Sequence, residues 1–86
     1  MPIRYTDRFK YSYVKLPISI RKKVMKAVTL LEVDFQHPGL RNHQMKGYTN
    51  IYEAYVDHKY RMTYERHGDF MIMRNVDNHD ECLKNP

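Results

Sequence analysis

Apolar positions in the first half of the chain recur at helical spacing, and those in the second half alternate with polar ones. The switch of period predicts helices first and strands after them. A brief alternation over Ile3–Thr6 predicts a short opening strand. Thr6 then offers an N-cap, Asp7 suits the positive end of a helix dipole, and Phe9, Tyr13 and Leu16 follow at i, i+4, i+7. This spacing predicts a helix over Asp7–Lys15. Pro17 interrupts it and can open the next one. Ile20, Val24, Ala27, Val28, Leu31 and Phe35 form one apolar stripe, which predicts a second helix over about Ser19–Phe35. His37-Pro38-Gly39 closes the helical part, and Leu40–Tyr48 reads as a connecting segment anchored by Leu40 and Met45.

Three strands are predicted after it, at about Ile51–Val56, Lys59–Arg66 and Phe70–Val76. Asp57-His58 suits a two-residue hairpin turn and His67-Gly68-Asp69 a slightly longer one. On the middle strand Tyr60, Met62 and Tyr64 alternate with Lys59, Arg61, Thr63 and Glu65, so one face is core and the other polar. On the last strand Phe70, Ile72 and Val76 compete with Met71 and Met73 for the interior. His79–Lys84 suits one helical turn. The expected fold class is α+β: a short N-terminal strand, two helices, and an antiparallel three-strand meander with the helices on one sheet face. The opposite face is expected to be open and polar, which is where a site belongs.

A chain of 86 residues accommodates one domain, expected to span 1–86. Cys82 is its single cysteine, so no internal disulfide can form, and a lone thiol suits the reducing cytoplasm. Met1–Lys10 lacks the apolar core of a signal peptide and no apolar run is long enough to span a membrane, so a soluble, cytoplasmic protein with no membrane partner is expected. Charge changes the picture more than its total of +5 conveys. Met1–Lys46 carries ten Lys/Arg against three Asp/Glu, whereas Gly47–Pro86 carries five against seven. Between Arg8 and Leu31 no residue is acidic, while Arg21, Lys22, Lys23 and Lys26 cluster on the second helix. Such a run is either a solvated helix face or a surface for a polyanion such as RNA.

Five histidines stand in the chain. His37, His58 and His67 fall in loops and turns, where a solvated role is the simplest one. His43 and His79 lie beside the polar sheet face and near cations. RNA cleavage without a metal needs a base for the 2′-hydroxyl proton, an acid for the leaving 5′-oxygen, and cations for the charge on phosphorus. Histidine can serve as acid or base near neutrality, and arginine presents donors matched to phosphate oxygens. Arg61, with Lys59, Arg41, Lys46 and Arg74 near it, could supply the electrostatic part. Glu53 could act as a base or simply pair with Arg61 across strands. Tyr55, with Tyr48 and Tyr52, could stack on bases. His79 and Cys82 are spaced i, i+3, but no second pair completes a zinc set, so neither a metal nor another cofactor is expected.

Leu40-Arg41-Asn42-His43-Gln44-Met45-Lys46-Gly47 resembles the segment that precedes the sheet in toxins of the RelE/ParE superfamily, and of its YafQ-like branch in particular. Tyr60-Arg61-Met62-Thr63-Tyr64 is similar to that superfamily's central strand, and Asn78-His79-Asp80-Glu81-Cys82-Leu83 to its terminal histidine segment. Tyr55 stands where the YafQ-like branch has a histidine, Lys59 where it has an aspartate, and Leu83 where it has an aromatic residue. The resemblance implies the toxin of a type II toxin–antitoxin pair, a metal-independent mRNA endoribonuclease acting in the ribosomal A site. It implies a cognate antitoxin, bound in a toxin–antitoxin hetero-oligomer. It assigns His79 and His43 to acid–base roles and Arg61 to the phosphate, where Lys59 is expected to join it. The alternative it carries is a ParE-like inhibitor of DNA gyrase without RNase activity, or a degenerate member without toxicity.

Overall fold

The computed structural model describes residues 2–86; Met1, the first residue of the expected domain, lies outside them. Strand β1 (Ile3–Tyr5) leads into helix α1 (Asp7–Val14). Between them Thr6 is extended, and its hydroxyl accepts from the Phe9 N–H at 3.1 Å, satisfying a donor that the first turn leaves orphaned. Helix α2 (Ile18–Val33) begins directly after Pro17, whose carbonyl accepts from the N–H groups of Ile20 and Arg21. It ends two residues before Phe35, which packs half-buried on the core from the following turn.

Strands β2 (His43–Gln44), β3 (Ile51–Tyr55), β4 (Tyr60–His67) and β5 (Phe70–Asn78) join β1 in one sheet of order β1-β5-β4-β3-β2. The expected antiparallel meander is present and extended at both edges. β1 lies parallel to β5, and β2, formed inside the segment expected to be irregular, pairs antiparallel with β3. Helix α3 (His79–Lys84) follows β5, capped by the Asn78 side chain.

Both hairpin turns differ from expectation. His67 pairs with Phe70, so only Gly68 and Asp69 turn the chain, and Gly68 at φ 55° supplies the left-handed conformation a tight hairpin needs. The β3–β4 connection is longer than two residues. There the Asp57 carboxylate accepts from the N–H groups of Lys59 and Tyr60, both at 2.9 Å, and shapes the loop through its side chain.

The α2 stripe (Val24, Ala27, Val28, Leu31) and Phe9 of α1 pack with Ala54, Met62, Tyr64, Met71, Met73 and Val76 of the sheet. The competition along β5 is settled by one extra residue. Met73 opposes Tyr64 while Asn75 opposes Thr63, leaving Arg74 without a partner as a β-bulge. The bulge shifts the alternation by one, so Met71 and Met73 enter the core ahead of it and Val76 after it. Phe70 and Ile72 are left half-buried. Thr6 secures this point. Its hydroxyl lies 2.9 Å from the Met73 carbonyl and 3.2 Å from that of Arg74, and its N–H donates to Met73 as well.

The other face is polar but only partly open, a correction to the expectation. Glu53, Thr63 and Asn75 are all buried. Helix α3 folds back over them, its Cys82 thiol donating to the Arg61 carbonyl at 3.2 Å. The tail that follows is held by Asn75, which donates to the Asn85 carbonyl, by Arg74, which donates to that of Pro86, and by Arg8 of α1, which donates to both. The face stays open toward β2, where His43 is exposed.

Candidate active site

Register builds the site. His43, Glu53, Thr63 and Asn75 stand in one row across β2, β3, β4 and β5, and Tyr55, Arg61 and Asp77 form the next row. Direct cross-strand neighbours place their side chains in contact range. A short 3-10 turn, Pro38–Leu40, delivers the chain to this edge and ends on Arg41 in the left-handed region at φ 47°. The Arg41 carbonyl lies 3.1 Å from His43 Nδ1. A carbonyl only accepts, so Nδ1 carries the proton and neutral His43 keeps its lone pair on Nε2.

His43 Nε2 lies 3.7 Å from Glu53 Oε1, and the same oxygen is 3.9 Å from Arg61 Nε. Glu53 is 4 % exposed; its Oε2 and the Thr63 hydroxyl on the next strand are both buried without a hydrogen-bond partner among the described residues. Arg61 is aimed by the β3–β4 loop, its Nη1 donating to the carbonyls of Asp57, His58 and Tyr60. The guanidinium groups of Arg61 and Arg41 lie 4.6 and 4.7 Å from the Tyr55 ring centroid. Such cation–π contacts order both cations without neutralising them. An exposed imidazole, a buried carboxylate and two arginines around one ring can hold an anionic diester and move a proton beside it.

Five of the predicted residues, His43, Glu53, Arg61, Arg41 and Tyr55, are therefore brought together. The others lie elsewhere. His79 opens α3, its N–H donating to the Lys59 carbonyl at 2.8 Å and its ring 3.6 Å from the Asp80 carboxylate. Among the described residues no hydrogen bond or ion pair links His79 or Lys59 to the cluster. His79 is four residues past Asn75 and three strands from His43, roughly 20 Å between backbones at sheet spacings. Arg74 pairs with Glu65 at 3.1 Å, and Lys46 is exposed just past β2. Lys22, Lys23 and Lys26 are exposed on α2, where Lys23 pairs with Asp57 at 3.1 Å, and Arg21 is half-buried. Lys23 and Lys26 also line a groove of about 300 Å³ that reaches Tyr55.

Cys82 is sealed, and burial pushes its thiol up to about 12. It faces inward while His79 is exposed, so the i, i+3 pair does not converge. Among the described residues no group of three or more His, Cys, Asp or Glu is arranged to hold a metal, and no helix is long and apolar enough to cross a membrane. Sequence reasoning missed Thr63 as a buried member of the site. Its place between Glu53 and Asn75 follows only from register.

No protein-family model matches the sequence, and no curated protein does. Solved structures match it. YafQ from Escherichia coli superposes with a TM-score of 0.76 over 94% of this chain and 96% of that one, at 16% identity. A chain of the RelB–RelE antitoxin–toxin complex from Methanococcus jannaschii gives 0.77 over 92% and 93%, at 22% identity. YoeB from Staphylococcus aureus gives 0.71 over 92% and 97%, at 14% identity. The chain has the RelE-like toxin fold. The fold expected from the resemblance is present over nearly the whole length of the chain.

Proposed function

We propose that the protein is the toxin of a type II toxin–antitoxin pair and a ribosome-dependent mRNA endoribonuclease that arrests translation. The observation that carries this reading is the His43–Glu53–Arg61 cluster on the open edge of the polar sheet face. His43 Nε2 takes the proton of a ribose 2′-hydroxyl; that oxygen bonds to the adjacent phosphorus, and the bond from phosphorus to the 5′-oxygen breaks. The products are a 2′,3′-cyclic phosphate and a 5′-hydroxyl, the leaving oxygen taking its proton from solvent water and His43 returning its own to solvent. Glu53 faces the imidazolium that forms, and Arg61 and Arg41 hold the non-bridging oxygens as charge develops on them. His79 reaches the leaving 5′-oxygen only if bound RNA brings α3 toward the cluster. The names of the RelB–RelE and DinJ–YafQ complexes among the structural neighbours support an antitoxin partner. The basic side of α2 suits ribosomal RNA.

The test is primer extension on a reporter mRNA in a translating extract, with wild type, His43→Ala and His79→Ala. Cuts at ribosome-occupied codons that vanish in His43→Ala support the reading. Cuts lost only in His79→Ala move the chemistry to α3. No cuts from wild type overturn the nuclease, and a gyrase supercoiling assay then tests the ParE-like alternative.

A further inference from the structure

We infer that a second phosphate of the bound RNA strand seats against Arg66, in a hollow on the far side of β3 from His43, with Arg41 shared between the two places. The inference rests on the RNA reading above and adds a subsite to it. Arg66 leaves the helix-covered face at the end of β4, beyond the last turn of α2. Its guanidinium lies 4.6 Å from the Phe35 ring centroid and 5.3 Å from that of Tyr52. Tyr52 is itself stacked on the buried Tyr64 ring, at 5.6 Å and 20°. These rings restrain the guanidinium plane and leave its N–H edge as the binding surface, the edge that matches phosphate oxygens.

None of the described ion pairs uses Arg66. The hollow beside it, of about 360 Å³, is also lined by Arg41, His37 and Asn42 and by no acidic residue. His37 Nδ1 accepts from the Gly39 N–H, so the neutral ring carries its proton on Nε2 and adds a donor. Asn42 spends its Nδ2 on the Phe35 carbonyl at 2.8 Å, which holds the floor of the hollow in place. Two arginines that no described ion pair uses call for an anion. A polynucleotide fits better than an isolated carboxylate, because Arg41 also touches Tyr55 beside the reactive cluster. Anions joined along one chain can occupy both sides of this edge together.

The test is fluorescence anisotropy with a labelled single-stranded RNA of about ten nucleotides, its riboses 2′-O-methylated so that cleavage does not enter. Arg66→Gln is expected to bind about tenfold more weakly and to lower the slope of log K against log salt by about 0.7, the share of one phosphate. Arg66→Lys is expected to keep the slope. A methylphosphonate scan reads the same site on the wild-type protein, where two separate neutralised positions, not one, should each weaken binding. Unchanged affinity and slope in a folded Arg66→Gln, a single sensitive position, or no RNA binding by wild type each overturn the inference. So does a Glu-rich peptide whose binding, unlike that of RNA, depends on Arg66, since the hollow would then serve a protein partner. RNA bound with both signatures but never cut on ribosomes sinks the nuclease reading and leaves the subsite standing.

Discussion

His43 and Glu53 stand directly opposite one another across the β2–β3 ladder, with imidazole Nε2 3.7 Å from carboxylate Oε1. The two side chains differ sharply in environment, at 59 % and 6 % exposed, so a buried acidic group backs an imidazole that reaches solvent. If they act as one unit, their losses will not add. His43→Ala is expected to slow cleavage by about 10²–10⁴-fold and Glu53→Gln by less, with the double variant no slower than His43→Ala alone. Time courses of primer extension on ribosome-bound mRNA check this.

Thr6 holds two structures with one hydroxyl, the first turn of α1 and the bulged carbonyls at Met73 and Arg74. Thr6→Val loses the cap and the bulge contacts together and is expected to cost about 2 kcal/mol, roughly 1 for each. Thr6→Ser keeps both and should stay within about 0.5 kcal/mol of wild type. Urea midpoints at constant slope distinguish the two variants.

Alkaline pH should loosen the fold through α3. Burial raises the Cys82 thiol from 9.0 to about 12. Above pH 9 the unfolded chain releases this proton while the folded one retains it, so stability is fully present below that pH and declines above it. The decline is at most about 1.4 kcal/mol per pH unit. The Tyr64 phenol, pushed up from 10.0 to about 12 by burial, adds to the decline beyond pH 10. Cys82→Ala should flatten the fall of the urea midpoint between about pH 9 and 10. An equally steep fall in that variant would assign the slope to other groups.

Lys22 and Lys26 are exposed on α2, and Lys26 lines the groove that reaches Tyr55. Replacing both with Glu is expected to weaken ribosome binding and reduce its salt dependence, while a folded, antitoxin-free protein is still obtained. Sedimentation with ribosomes over a salt series reads both quantities.

Most elements were legible because their signals are local: the Thr6 cap, the α2 stripe, and the alternation along β4. What escaped depends on distant partners. A two-residue strand such as β2 has no period to detect, and its pairing with β3 is set by register alone. The bulge at Arg74 breaks a period of two at one position, so Met71 and Met73 contend with Val76 until Tyr64 is seen opposite Met73 and Thr63 opposite Asn75. Of the candidate site, His43, Glu53 and Arg61 carry recognisable chemistry, but whether they meet each other or meet His79 is decided across strands. Glu53 gave no sign of burial, because a carboxylate on an alternating strand reads as facing water.

The first strand of this protein has no bonding partner until the last one exists. Ile3, Arg4 and Tyr5 pair with Met71, Ile72 and Met73, across almost the whole chain. A growing polypeptide carries both long helices and the β3–β4 hairpin before β1 can be sheeted, and pairings this distant form late. Until then Thr6 has no bulge to clamp, Arg8 has no tail to grip, and β4 lacks the neighbour that rigidifies it. For a protein proposed to attack ribosomes, this connectivity postpones competence until residues 70–78 have left the ribosome that made them.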